Sequence, residues 1–143
     1  MLVRLLYASR AAESVDSDAL GAILRTSKER NATAGVTGVL CFCGTARIFL
    51  QVLEGGRNAV SALYNRIAQD PRHRDVALLS YEEIGERKFS GWSMGQVNMH
   101  RLNPSLLLKY SETAVLDPYA VSGQASLALF SELVATASVG VQV

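Results

Sequence analysis

Residues 49–55 read FLQVLEG. Side chains alternate between the two faces of a strand, so Gln51 shares a face with Phe49 and Leu53 while Leu50 and Val52 point the other way. Both faces are apolar, which marks a strand covered on both sides. A glutamine in the middle of it needs a hydrogen-bonding partner or a ligand, because a buried amide left unpaired is costly. The preceding run GVTGVLCFCG (35–44) is also β-rich, and the break at Gly44 and Thr45 reads as a hairpin turn.

Working outward, LVRLLYAS (2–9) reads as a further central strand, with Val3, Leu5, Tyr7 and Ser9 on one face and Leu2, Leu6 and Ala8 mostly on the other. Ser17, with Asp18 behind it, reads as the N-cap of a helix reaching about Asn31, whose inward stripe is Leu20, Ile23, Leu24, Ser27 and Asn31. A second helix is expected from about Asn58 to Gln69 on Val60, Leu63, Tyr64 and Ile67. Asp70–Pro71 stops it, since proline disfavours helix at the residue before it. DVALLSYEEI (75–84) supplies a fourth strand and MGQVNM (94–99) a fifth. The order is that of an α+β, ferredoxin-like βαββαβ sheet with an added strand. Its first and third strands are expected to be parallel neighbours at the centre, which brings Tyr7 and Gln51 side by side.

Asn103–Pro104 caps and starts a short helix to about Tyr110, and a second, carrying Leu127, Phe130, Leu133 and Val134, runs from about Ser122 to Thr136. Two helices already cover one sheet face, so this tail is expected to pack on the other, over Ile48, Leu50 and Val52.

The chain has 143 residues, enough for one domain with its own core. Its formal charge of +1 gives no electrostatic reason to expect nucleic acid or an anionic membrane as partner. No apolar run approaches the roughly 20 residues that span a bilayer, and no leader pattern opens the chain; the expected location is the cytoplasm. Cys41 and Cys43 share one side of a strand, as small core residues rather than at zinc spacing, and His73 and His100 are too few for a metal site. There is no Ser-His-Asp arrangement, no paired carboxylate spacing and no G-x-S-x-G, so the chain does not read as an enzyme.

The periodicities send Tyr7, Ser9, Ser27, Asn31, Gln51 and Asp70 inward beneath the two helices. They either satisfy one another and local backbone, or line a pocket for a flat ligand with a polar edge. The amides of Asn31 and Gln51 both donate and accept, which suits a heterocycle with alternating carbonyl and N–H groups, and the hydroxyls of Tyr7 and Ser9 are placed to orient such amides. PRHR (71–74) is otherwise a solvated basic turn, with neither the aromatic nor the glycine company of an RNA or phosphate site.

Five blocks in order resemble one family. They are LLYAS with Tyr7 and Ser9; TSKERNATAGVTGVL with Ser27, Asn31, Gly35, Thr37 and Gly38; FLQVLEG with Gln51, Glu54 and Gly55; DPRHRDV with Asp70, Arg72 and His73; and RKFSGWSMG with Phe89, Trp92 and Met94. The chain resembles the BLUF photoreceptors, blue-light sensors using FAD. The resemblance implies a ferredoxin-like fold with the flavin held between the two helices, FAD as cofactor (FMN or riboflavin as substitutes), residues 1–99 as the photosensory domain and 100–143 as a helical extension. It implies that Asn31 contacts the flavin's carbonyl and N3–H edge, that Gln51 bonds it near N5 and the C4 carbonyl, that Tyr7 bonds Gln51, and that Ser27 supports the ring. Asp70, Arg72 and His73 would contact the pyrimidine side or the ribityl chain.

In the family, blue light moves an electron and then a proton from the tyrosine to the flavin, and both return after the glutamine has rotated or tautomerised. The altered hydrogen bond gives a red-shifted spectrum that decays in the dark. Trp92 and Met94 would relay the change through the fifth strand, with Ser9 beside the photoactive pair. The resemblance also implies a homodimer or larger ring and a downstream regulator protein. The rival readings are an acylphosphatase-type hydrolase and a light-insensitive ligand-binding module on the same fold; the presence of both Tyr7 and Gln51 weighs against the second.

Overall fold

The computed structural model describes residues 1–44, 46–98, 102–136 and 139–141. Thr45 in the expected hairpin turn, Met99 at the end of the expected fifth strand, His100, and the expected boundary between residues 99 and 100 lie outside them. The described elements are β1 (Leu2–Ala11), α1 (Ser17–Ala34), β2 (Thr37–Cys43), β3 (Ile48–Gly56), α2 (Arg57–Gln69), β4 (His73–Ile84), β5 (Gly95–Val97), α3 (Pro104–Tyr110), α4 (Gly123–Ala135) and β6 (Val139–Val141). The strands form one sheet in the order β4-β1-β3-β2-β5-β6. This is the expected α+β, ferredoxin-like plan with β5 added, and with a short β6 that the sequence did not suggest.

One expectation is corrected. β1 and β3 are central neighbours, but they are antiparallel, with Tyr7 directly opposite Gln51. The chain direction follows from the connections. The α1 crossover returns β2 in the same sense as β1, and the β2–β3 hairpin reverses it. β5 joins the far side of β2 in parallel, with Val39 and Leu40 opposite Gly95 and Gln96.

Two apolar clusters lie on the two faces. Val3, Leu5, Tyr7, Leu40, Phe42, Phe49 and Leu53 meet Leu24 of α1 and Val60 of α2. On the other face Leu6, Ala8, Val39, Cys41, Leu50 and Val52 meet Leu107 of α3 and Leu129, Phe130 and Leu133 of α4, so the tail helices pack where they were expected. Each fully buried side chain of this size contributes roughly 1.5–3 kcal/mol. Cys41 and Cys43 form no disulfide and both lie on this second face, in keeping with a packing role.

The N-cap of α1 is Asp16 rather than Ser17: its carboxylate accepts from Ala19 N at 2.8 Å, and Ser17 is the first helical residue. The helix also runs one turn past Asn31, to Gly35, whose φ of 71° closes it in the left-handed region that glycine adopts without strain. Asn103 caps α3 as expected, and Ser122, where the second tail helix was expected to begin, is the N-cap of α4; each accepts a backbone N–H with its side-chain oxygen. Gly38 has a different reason: a Cβ there would lie 2.0 Å from the carbonyl oxygen of Val52, so β2 and β3 can pair at this register only with glycine.

Candidate functional site

The antiparallel register places Tyr7 of β1 against Gln51 of β3 beneath α1 and α2, both almost fully buried. The Tyr7 hydroxyl donates to Gln51 Oε1 at 2.5 Å, and Gln51 Nε2 donates to Met94 Sδ at 3.2 Å. This orientation of the amide satisfies both neighbours. Turned over, its oxygen would face the lone pairs of the sulfur, two acceptors together, while its NH2 would face a hydroxyl that can also accept. Met94 therefore favours one orientation, and the tyrosine tolerates either.

Burial pushes the Tyr7 phenol well above its ordinary pKa, with the Tyr64 ring, 5.8 Å away between centroids, adding to the effect. Tyr7 is a neutral hydrogen-bond donor throughout the physiological range. Asn31, almost fully buried on α1, donates from Nδ2 to the carbonyl of Ser93 at 3.2 Å. The same α1 turn is thereby tied to the segment that delivers Met94. Ser27 lies one turn earlier and is half-buried.

The remaining expected residues divide. Ser9 is fully buried but does not join the amides: its Oγ lies 2.7 Å from His73 Nδ1, and the His73 ring packs on Phe49 with 5.2 Å between centroids. Burial lowers the His73 pKa below its ordinary value, partly countered by the Asp70 carboxylate. Asp70, expected to point inward, is only half-buried and closes α2. Its carboxylate takes three bonds from the Arg72 guanidinium and one from Arg72 N. The Arg72 hydrogen bonds hold its pKa down at about 2. Arg72 itself is exposed.

Trp92 and Met94 separate across the sheet. Met94 is fully buried in the cluster with Tyr7, whereas Trp92 is half-buried against the cluster under the tail helices. In this structure it is Met94, and not Trp92, that touches Gln51.

Two partners escaped the sequence reading. Tyr64 was read simply as inner-face packing of α2, and its ring stands beside Tyr7. The Ser93 carbonyl has no side-chain signal at all. Among the described residues there is no group of His, Cys, Asp and Glu that could hold a metal ion, and no helix long and apolar enough to cross a membrane.

A flavin fits this donor set. Asn31 and Gln51 are carboxamides on facing elements, able to meet a ring edge that alternates acceptors and donors. Leu20 and Ile23 of α1 and Leu63 and Ile67 of α2 are half-buried apolar groups beside them, suited to the ring's faces.

Comparison with known proteins agrees. Over 94 residues the chain is 40% identical to photoactivated adenylate cyclase subunit beta of Euglena gracilis; the match takes in 65% of this chain but 11% of that protein. It is 30% identical over 102 residues to the blue light- and temperature-regulated antirepressor BluF of Escherichia coli K12, covering 70% of this chain and 25% of the relative. Among solved structures, BlsA in its photo-activated state superposes with a TM-score of 0.79 at 31% identity, covering 93% of this chain and 94% of BlsA. BlrB in its dark state gives 0.74 at 30% identity, covering 95% and 96%. Residues 2–95 match the family described as sensors of blue-light using FAD, and the chain belongs to that family, BLUF.

Proposed function

We propose that the chain is a blue-light sensor in which Tyr7, Gln51 and Met94 form the switch beside a bound FAD. The observation that carries this reading is the continuous chain of hydrogen bonds from the Tyr7 hydroxyl through the Gln51 amide to the Met94 sulfur. FAD, when bound, supplies the blue-light absorption and an acceptor for an electron and a proton. Asn31 and Gln51 hold its polar edge, Ser27 supports the ring, and Asp70, Arg72 and His73 stand towards the far end of the site, where the Asp70–Arg72 pair presents charge.

What the chain's own residues contribute is bistability. Tyr7 can give up a proton and take it back, and its hydroxyl can serve Gln51 as donor or acceptor. The Gln51 amide then has two orientations, of which Met94 favours the one in this structure. A turned Gln51 loses the bond to Met94, and that loss is the local change available for relay. Met94 immediately precedes β5, so the change reaches a short edge region of the sheet, with Trp92 carrying it to the tail-helix face. Ser9 sits behind the pair on β1 and positions His73.

The chain spans 11% of the length of the Euglena cyclase subunit that it matches, and the cyclase activity is that protein's. For this chain the proposed role is non-catalytic: light state is passed on by contact, to a second copy in a dimer or larger ring, or to a regulator that binds one state better than the other. A cytoplasmic location, and a division into a photosensory domain and a helical extension, belong to the same proposal. The match to BlsA in its photo-activated state supports the light-sensing part of that proposal.

The test is Gln51→Leu beside the parent protein, both loaded with flavin. The parent shows a reversible red shift of the flavin bands in blue light, and the variant retains flavin without shifting. A full photocycle in the variant rejects the assignment of Gln51.

A further inference from the structure

Glu54 has no exposed surface, yet it is a carboxylate in the middle of an apolar sheet face. It lies on the side of β3 opposite Gln51, where alternation puts it with Leu50 and Val52. Its Oε2 accepts from Arg4 Nε at 2.8 Å and from Lys88 N at 3.0 Å, and its Oε1 accepts from Phe89 N at 2.7 Å. Arg4 in turn donates to Glu82 Oε1 at 2.8 Å. The two backbone donors belong to the segment between β4 and β5, residues 85–94, which carries Met94.

That segment is fastened at both ends. Beyond Phe89, whose carbonyl accepts from Trp92 N, the Trp92 carbonyl accepts from Gly38 N at 3.0 Å, Ser93 O accepts from Asn31, and Met94 Sδ accepts from Gln51. Arg87 adds bonds to Thr37 Oγ1 and Gly35 O. Glu54 and Gln51 are three residues apart on a strand paired on both sides, a rigid spacing of about 10 Å. One strand therefore sets both where the segment is anchored and where its sulfur must arrive.

We propose that Glu54 is a positioning residue for the Gln51–Met94 contact, holding residues 88 and 89 by their backbone N–H groups so that Met94 is presented to the Gln51 amide. This rests on the reading of Gln51 as the switch. It adds that the rate at which the amide returns depends on a carboxylate on the opposite face of the sheet, which touches neither Tyr7 nor Gln51.

Trp92 is the chain's only tryptophan and lies inside the fastened segment, so its fluorescence reports that segment independently of the light reaction. The experiment uses flavin-loaded protein carrying Glu54→Gln, Glu54→Asp or Glu82→Gln, with acrylamide quenching of Trp92 and the rate of dark recovery as readouts. Glu54→Asp keeps the charge beside Arg4 but withdraws the oxygens from the segment by one methylene. Glu82→Gln disturbs only the outer partner of Arg4. Both Glu54 variants are expected to raise the quenching constant at least twofold and to slow recovery at least threefold, while flavin content and the red shift persist; Glu82→Gln leaves both readouts at parental values.

If Glu54→Gln does not fold, Glu54→Asp decides the matter. Folded Glu54→Asp with parental quenching and recovery overturns the proposal, as does an equal effect of Glu82→Gln, or failure of both Glu54 variants to fold, which would make Glu54 a folding residue only. Should the parent itself show no light-induced shift, the reading of Gln51 fails separately, and the quenching data still decide whether Glu54 holds the segment.

Discussion

Replacing Tyr7 by Phe, Gln51 by Leu, and both together gives a thermodynamic cycle on the bond at the centre of the site. Tyr7→Phe removes the donor and strands Gln51 Oε1; Gln51→Leu strands the Tyr7 hydroxyl. Both groups are buried, so either change leaves a desolvated polar atom unpaired at a cost of about 1–3 kcal/mol. The double variant replaces both partners with apolar groups of similar shape among Phe49, Leu53 and Leu5, which is nearly neutral. Its cost should therefore fall short of the summed single costs by nearly their whole amount, about 2–6 kcal/mol. At roughly 3 °C per kcal/mol for a domain of this size, each single variant melts about 3–9 °C lower. Urea unfolding in the dark measures the cycle, repeated at two flavin concentrations so that stabilisation by the bound cofactor can be subtracted. All three variants are expected to lose the reversible light response. Strict additivity of the two single costs would refute the reasoning, since it would mean that the two side chains do not depend on each other.

Met94→Ala empties a fully buried position and removes the acceptor from Gln51 Nε2; it should cost about 2–5 kcal/mol and alter dark recovery, whereas Trp92→Phe, half-buried on the other face, should leave the dark flavin spectrum unchanged. Gly38→Ala forces a Cβ against the carbonyl of Val52 and should prevent β2 from pairing with β3 as it does here, read as loss of cooperative unfolding. The Asp70 carboxyl is held at about 2 in the folded chain against an ordinary 3.8, so its contribution to stability is complete above pH 4 and is lost as pH falls towards 2; Asp70→Asn should flatten that part of a melting-temperature profile. Arg72 is exposed, which keeps this effect small.

The part of the site legible in the sequence was the part written in side-chain period. Alternation along residues 49–55 and 2–9 placed Gln51 and Tyr7 on inner faces of central strands, and helical spacing sent Asn31 towards them. Neighbourhood did not depend on strand direction, so Tyr7 met Gln51 although β1 and β3 proved antiparallel. The direction could have been had by counting reversals through α1 and the hairpin. Asp16 and Ser17 are both able to cap, and only the backbone turn at Asp16 decides between them. Asp70 has the right phase for burial, but it terminates α2, and the neighbouring guanidinium claims its carboxylate. Glu54 carried the opposite lesson. Its phase puts it on the tail-helix face, where a charge is out of place, and only the antiparallel register, which sets Arg4 directly opposite, shows what allows its burial.

The measurement that bears most directly on the whole account is the absorption spectrum of the purified, flavin-loaded protein before and after blue illumination, followed as it stands in the dark. Flavin bands that shift to the red and then return are the predicted result. Bound flavin whose bands stay unmoved under illumination would contradict the assignment of Tyr7, Gln51 and Met94 as a light-driven switch.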